Sequence, residues 1–398
     1  MISCPAYERC GACQSLGTPY AEQLVWKRET VAQAFRAKGL RVRVQDVCGM
    51  EEPFHYRNKV IAAVSMRGPQ VVCGLYEEFS HRVVPVTGCL LQDRRLNAVL
   101  GSLETLFNSL KIKPFSYGGV LKHLLLRVGV KTGQVMVVLV TSEELMHGRK
   151  ELVARLRAAH PEVATVVQNI QPRQTSVVLG EREKVLYGPG FIFDELLGLR
   201  YKISARSFYQ INPAQTGRLY AKALSLAALR PGESLLDAYC GIGTIGLSAA
   251  ALAAGQGDSD GAGIGASGQA SDVQVLGVEI NRDAVRDAMA NARANHLANT
   301  RFYCADVSAF MREFSGGADV LIVDPPRSGC DEGFLRAVLQ LAPHRIVYVS
   351  CNPVTQARDL ACLTGGRRPA YRLASDAWPF DLFPQTTHIE NVIALSRV

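Results

Sequence analysis

LLDAYCGIGTIGL, residues 235–247, reads as an apolar strand that stops at Asp237 and passes through a glycine turn into a helix. Gly241 and Gly243 let the backbone approach a ligand closely, and the helix N-terminus that follows favours negative groups. A GxG turn after one strand is shared by several nucleotide-binding proteins, and here it is not a GxGxxG followed by an NAD-type unit. What decides the fold is that the pattern repeats. VLGVEI (275–280), ADVLIVDPP (318–326) and RIVYVSCNP (345–353) are short apolar runs ending in polar or glycine residues, mostly separated by helical stretches. This alternation predicts a doubly wound parallel sheet, an α/β Rossmann-like domain, with its ligand site at the carboxyl ends of the strands.

Each strand end then offers a functional group. Glu279 closes the second strand, where an acid hydrogen-bonds a ribose diol. It lies 42 positions after Asp237 rather than about 20, and a low-complexity insert accounts for the excess. Asp306 in CAD and Asp324 in IVDPPR add two more acids, so a nucleoside-type cofactor is expected across the crevice. Cys351 follows the strand VYVS and precedes Asn352-Pro353, which places a thiol on the same edge. A cysteine is more often a buried apolar residue. Its position on the ligand edge favours instead a soft nucleophile that needs a partner to manage protons. FPQTTHIENV (383–392) offers His388 and Glu390, and Glu390 suits a general base in a partly desolvated site.

Upstream the character differs. Residues 21–39 have apolar residues at Leu24, Val25, Val31, Ala34 and Phe35 and end at Gly39, the pattern of an amphipathic helix. From about 56 to 92, and again from 121 to 205, β-branched runs such as VIAAV, VMVVLV and TVVQNI alternate with Gly and Pro turns, which predicts a mainly antiparallel sheet. Two domains are expected, 1–205 and 206–398, with helix 21–39 a candidate to pack on the second. Residues 253–272 are almost wholly Gly, Ala, Ser, Asp and Gln, too poor in apolar area to offset their ordering entropy. They are expected to form a flexible loop at the edge opposite the ligand crevice.

Charge separates the same halves. Residues 1–205 carry 27 Lys and Arg against 18 Asp and Glu, whereas 206–398 carry 17 against 18, within a net charge of +8. A basic half suits either a solvated surface or a polyanionic partner. Hydrophobic content of 48% and charged content of 20% exclude disordered and fibrous classes. The apolar runs fall well short of the roughly 20 residues that cross a bilayer, and no secretory signal is visible, so a cytoplasmic protein is expected. There its 11 cysteines read as thiols, metal ligands or nucleophiles rather than disulfides. Three of them crowd into CPAYERCGAC (4–13).

CPAYERCGAC, YRNKV (56–60), FYQIN (208–212), LLDAYCGIGT, GVEI, DPPR, VSCNP and FPQTTHIE together, in this order, resemble the S-adenosylmethionine-dependent RNA (uracil-5-)-methyltransferases over nearly the full chain. The resemblance implies Cys351 as the nucleophile and Glu390 as the base. It implies Gln210, Tyr239, Thr244, Glu279, Asp306 and Asp324 as cofactor-pocket residues, with Gly241 and Gly243 as the turn. Asp324 and Phe208 are then also candidates for the uracil, and Arg57 and Lys59 for RNA phosphate. Members with an iron-sulfur cluster use a Cys-x5-Cys-x2-Cys run plus a distant cysteine, which Cys4, Cys10, Cys13 and Cys89 match. A 4Fe-4S cluster is therefore expected, with four-sulfur zinc as the alternative. Many relatives begin with a small β-barrel RNA-binding domain, whereas only three residues precede Cys4 here. The cysteines favour large-subunit 23S rRNA as the target, tRNA being the alternative, and a monomer is the default. Two other classes stay open: an iron-sulfur oxidoreductase using a nicotinamide, which leaves VSCNP and HIE unexplained, and a non-catalytic RNA-binding protein, which leaves the thiol on the cofactor edge unexplained.

Overall fold

The computed structural model describes residues 4–255 and 273–398; most of the low-complexity insert expected at 253–272 thus lies outside the described residues. After the cysteine-bearing loop, α1 (Tyr20–Ala37) buries Gln23, Lys27, Val31 and Phe35 along one stripe. Val31 and Phe35 enter a core shared with the C-terminal strands, so this helix does pack on the C-terminal sheet.

The first sheet is built from β1 (Lys59–Arg67), β2 (Gln70–Tyr76) and β3 (Val83–Pro85), then α2 (Arg94–Ser109), β4 (Leu121–Val128), β5 (Val135–Thr141), α3 (Arg149–Ala159), β6 (Val163–Ile170) and β7 (Arg182–Tyr187). Its strand order is β3-β2-β1-β4-β5-β6-β7. Neighbours are antiparallel except β5 and β6, which run parallel. The sheet expected to be mainly antiparallel thus contains one parallel pair. A parallel pair needs a crossover, and α3 supplies it. Leu152 and Leu156, one turn apart on α3, pack with the α2 leucines over one face of the sheet. VMVVLV is buried along its whole length, as a central strand covered on both faces must be. A hairpin of β8 (Phe191–Leu196) and β9 (Leu199–Ser204) follows.

The second sheet alternates with helices: α4 (Pro213–Ala227), β10 (Ser234–Ala238), α5 (Thr244–Ala253), β11 (Gln274–Glu279), α6 (Arg282–Ala294), β12 (Thr300–Cys304), α7 (Val307–Glu313), β13 (Val320–Val323), α8 (Glu332–Leu341), β14 (Arg345–Ser350) and α9 (Pro353–Thr364). It ends with β15 (Tyr371–Leu373), β16 (Trp378–Phe380) and β17 (Glu390–Arg397). The order is β12-β11-β10-β13-β14-β17-β15, with β16 beside β17. β10 to β14 are parallel and β17 enters antiparallel. Strand order reverses between β10 and β13, which makes their carboxyl ends the switch-point crevice.

Besides a core of its own, each half contributes to a shared interior. Leu125 and Val138 of the first sheet, Ile192 of the hairpin, Leu219 of α4 and Leu235 and Val347 of the second sheet belong to one core. No helix among the described residues is long and apolar enough to cross a membrane.

Candidate active site at the switch point

The turn after β10 is built from left-handed residues: Tyr239 (φ 62°), Gly241 (φ 55°) and Gly243 (φ 82°). At Gly243 a Cβ would also lie 3.0 Å from the Phe302 ring, a tight approach that adds to the strain of its left-handed backbone. At Gly241 a Cβ would meet nothing within 4 Å, so the space above the turn is open. Glu279 braces this turn, one oxygen accepting from the Gly241 N–H (3.2 Å) and the other from the Asn281 N–H (2.8 Å). Asp237 Oδ2 accepts from the Gly246 N–H (2.8 Å), while its buried Oδ1 has no protein partner. Burial lifts the Asp237 carboxyl to about 7 against that hydrogen bond, with the Asp324 and Glu279 charges adding to the rise. Asp306 caps α7, accepting from the Ala309 N–H at 2.8 Å. Exposed Ile280 follows Glu279 and offers an apolar platform beside the crevice.

On the other side, Thr244 Oγ1 donates to the Tyr220 hydroxyl (3.4 Å), and Gln210 lies beside the same tyrosine. Tyr220 is fully enclosed in α4 and had no signal in the sequence beyond its place on a helix. Gln210 and Phe208 lie on a loop anchored to the first sheet. The Asn58 amide donates to the Gln210 carbonyl (3.0 Å), and buried Arg127 donates to the Ser207 carbonyl (2.9 Å). Phe208 itself is 59% exposed, a large apolar ring turned to solvent rather than core.

At the next strands the register sets the chemistry. β14 and β17 pair Ser350 with Asn391, so Cys351 and Glu390, one residue beyond each, emerge on the same edge from antiparallel neighbours. Glu390 is 4% exposed and its carboxyl is held well above the ordinary carboxylate range, first by burial and then by the Asp324 charge, with Arg327 pulling the other way. Cys351 is pushed up to about 12 by burial, then by Glu390 and Asp324, again opposed by Arg327. Burial also raises Asp324 to about 7. These four side chains therefore lie within one another's fields. Arg327 was quoted in DPPR without a role. Its carbonyl accepts from Asn352 Nδ2 (3.0 Å) and Thr355 Oγ1 (3.3 Å), and its guanidinium reaches His388 Nδ1 (3.2 Å). A thiol, a buried carboxyl and a guanidinium thus converge on the sheet edge that also carries the open glycine turn.

The YRNKV basic pair departs from expectation. Arg57 is not turned wholly outward to meet phosphate; its Nη2 donates to the Ala12 carbonyl (3.1 Å), and the Cys13 and Cys89 thiols lie within its field. Lys59 is half-buried, opposite Arg127 in the β1–β4 register, and burial followed by that charge lowers its ammonium to about 8. Neither is the freely solvated cation that phosphate steering would use.

Cys4, Cys10, Cys13 and Cys89 line a single cavity of about 180 Å³ together with Tyr7, Leu16 and Val86. Burial is the main force raising the Cys13 thiol to about 12, and its neighbours' negative charge adds to it. Among the described residues no group of three or more His, Cys, Asp or Glu is placed to hold a single metal ion. Neither expected metal group, the 4Fe-4S cluster or the four-sulfur zinc, is supported by this geometry.

The profile of the tRNA (uracil-5-)-methyltransferase family matches residues 266–398, the span that contains Glu279, Asp324, Cys351 and Glu390. An uncharacterized RNA methyltransferase of Halalkalibacterium halodurans is 40% identical over 400 residues, covering 98% of this chain and 82% of its own. The chain belongs to the RNA (uracil-5-)-methyltransferase family. A further relative in the family, an uncharacterized RNA methyltransferase of Staphylococcus aureus, is 37% identical over 398 residues, or 98% of this chain and 83% of its own. The structure resembles that of Pyrococcus abyssi tRNA (uracil-54, C5)-methyltransferase in complex with S-adenosyl-L-homocysteine, with a TM-score of 0.74 and 26% identity over 99% of this chain and 87% of that one.

Proposed function

We propose that this protein methylates carbon 5 of a uridine in RNA, using S-adenosylmethionine as the methyl donor. The observation that carries the proposal is the placement of Cys351 across from Glu390 at the end of a sheet whose neighbouring strand ends wall an open crevice. S-adenosylmethionine fits that crevice. Gly241 leaves room above the turn, Asp237 Oδ1 has an unused acceptor, and Glu279, Asp306 and Thr244 surround the space with groups suited to a ribose and an amino-acid moiety. When bound, the donor supplies an electrophilic methyl group on a sulfonium.

The chain's own residues do the rest. Uracil carbon 5 is a poor nucleophile until a group adds to carbon 6. The Cys351 sulfur forms that bond as its proton passes to water, the carbon 5–carbon 6 π electrons move onto the uracil as an enolate, and carbon 5 takes the methyl group, leaving S-adenosylhomocysteine. Glu390 then removes the hydrogen from carbon 5, and the Cys351–carbon 6 bond breaks to release 5-methyluridine and the thiolate. Arg327 opposes the burial that keeps Cys351 and Glu390 protonated, so it favours the ionised forms the two steps need. The uracil has to leave any helix to reach Cys351, and exposed Phe208 is suited to receive it.

Residues 1–205 are proposed as the RNA-facing part and 206–398 as the catalytic part, working as a monomer. Cys4, Cys10, Cys13 and Cys89 line one cavity and are proposed to hold a 4Fe-4S cluster. Bound there, the cluster supplies a structural tie. The cysteine set favours 23S rRNA as the target; the likeness to the Pyrococcus tRNA enzyme favours tRNA. Mass-spectrometric mapping of 5-methyluridine in both RNAs from cells with and without the gene decides between them, and no change in either contradicts the proposal.

A further inference from the structure

The cysteine-bearing loop and the loop that carries Glu390 are joined by a compact hydrogen-bond network centred on Gln385. The Gln385 carbonyl accepts from the backbone N–H groups of Gln14 and Ser15, both at 3.1 Å, directly after Cys13. Its own N–H donates to Gln23 Oε1 (3.1 Å), and Gln23 Nε2 reaches back to Gln385 Oε1 (2.9 Å) and to the carbonyls of Ser15 (2.9 Å) and Thr18 (2.8 Å). One residue earlier, the Pro384 carbonyl accepts from the Tyr56 hydroxyl (2.9 Å), while adjacent Arg57 holds the Ala12 carbonyl. Gln385 is 3% exposed and sits at φ 67°, a left-handed conformation that a non-glycine residue keeps only when its surroundings fix it.

The network continues toward the chemistry. The Thr386 hydroxyl donates to the Phe383 carbonyl (2.7 Å) and accepts from the His388 N–H (3.2 Å), and His388 meets Arg327. Ile389, buried, leads straight into Glu390. Neither the thiols nor the reacting groups explain why so many bonds converge on one glutamine.

We infer that Gln385 is a positioning residue: through it, the order of the cysteine-bearing loop fixes the backbone from which Glu390 reaches the uracil. The inference rests on the reading of Glu390 as the base. Loosening either end of the joint should misplace that carboxyl without touching the cofactor crevice, and misplacement by about 1 Å can cost on the order of 100-fold in rate.

The test compares wild type, Gln385→Ala and Cys10→Ser by hydrogen exchange of the peptide spanning 381–391, together with S-adenosylmethionine affinity and methylation kinetics. The expected result is faster exchange at 381–391 in both variants, unchanged protection of β10 and β13, and cofactor affinity within about twofold of wild type. Methylation by Gln385→Ala should lose about 10- to 100-fold in kcat with little change in KM, and release of 5-methyluridine should slow more than adduct formation. Gln385→Ala removes the side-chain bond to Gln23; if it does not fold, Gln23→Leu, which removes the bonds to both the Gln385 side chain and its backbone N–H, replaces it. Unchanged exchange at 381–391 in Cys10→Ser, or an unchanged kcat in Gln385→Ala, overturns the inference. Because exchange is read without substrate, a coupled joint in a protein that forms no 5-methyluridine would support the joint while removing the proposed activity.

Discussion

Replacing Lys27 by methionine removes the charge that ties α1 to the catalytic sheet while keeping most of the side chain's volume. Lys27 Nζ lies 2.6 Å from Asp381 Oδ1 and 3.1 Å from the Phe383 carbonyl, and both charged side chains are fully buried. Asp381 also accepts from the Tyr20 hydroxyl (3.0 Å) and the Phe383 N–H (3.2 Å). Burial raises the proton affinity of Asp381 and lowers that of Lys27, and pairing opposes both effects. Breaking a buried pair by deleting one partner costs about 3–5 kcal/mol, because the remaining charge stays desolvated. Two donors still face Asp381, so the low end, about 3 kcal/mol, applies at pH 8.

The sign with pH follows from the aspartate. Without Lys27, its folded-state proton affinity rises further above the unfolded value. Stability tied to the protonated form is present below the unfolded carboxylate value and is lost as pH climbs through the raised one. Lys27→Met should therefore be milder at pH 5 than at pH 8, and Lys27→Met with Asp381→Asn should recover much of the loss at pH 8. At about 2 °C per kcal/mol, the value for larger domains, the midpoint of a thermal melt should fall by about 6 °C at pH 8 and less at pH 5. An equal loss at both pH values, or a fall below about 2 °C at pH 8, would refute the reasoning.

Other outcomes follow from the site. Gly243→Ala should cost about 1–2 kcal/mol in stability, from a left-handed residue with a side chain, and should weaken S-adenosylmethionine binding, measured by calorimetry. Because Glu390 must lose its proton to act as base and is held above the ordinary range, the single-turnover rate should climb with pH through neutrality; a flat profile from pH 6 to 9 contradicts this. Arg327→Gln removes the cation that lowers both Cys351 and Glu390, so the same climb should move to higher pH. Cys89→Ser should abolish bound iron and the absorption near about 400 nm of a thiolate-ligated cluster, and retained iron would remove Cys89 from the ligand set.

The catalytic sheet was legible because its strands are buried on both faces and end abruptly in Asp237, Glu279, Asp324 and Cys351, a pattern set by the sequence period alone. The first sheet was legible as mainly antiparallel strand but not in its one parallel pair or the helix that makes it. α3 was hidden because two leucines a turn apart in an eleven-residue helix carry far less signal than the β-branched runs on either side. Arg57 shows a different limit: a basic residue in a short motif gives its charge but not its direction, and here it turns toward Ala12 and the cysteines. Tyr220 and Gln385 escaped for a related reason. Their partners lie on other elements, Thr244 24 positions from Tyr220 and Gln23 362 positions from Gln385, and no local period encodes such a contact.

The central claim is that Cys351 bonds to uracil and Glu390 frees the product. Incubation with S-adenosylmethionine and RNA carrying 5-fluorouridine tests it directly, because fluorine on carbon 5 cannot be removed as a proton and the complex should be trapped. A covalent protein–RNA species resistant to denaturant, present in wild type, retained in Glu390→Gln and absent from Cys351→Ala, is the predicted result. Methyl transfer by Cys351→Ala at the wild-type rate, or no trapped species in wild type, would contradict the account.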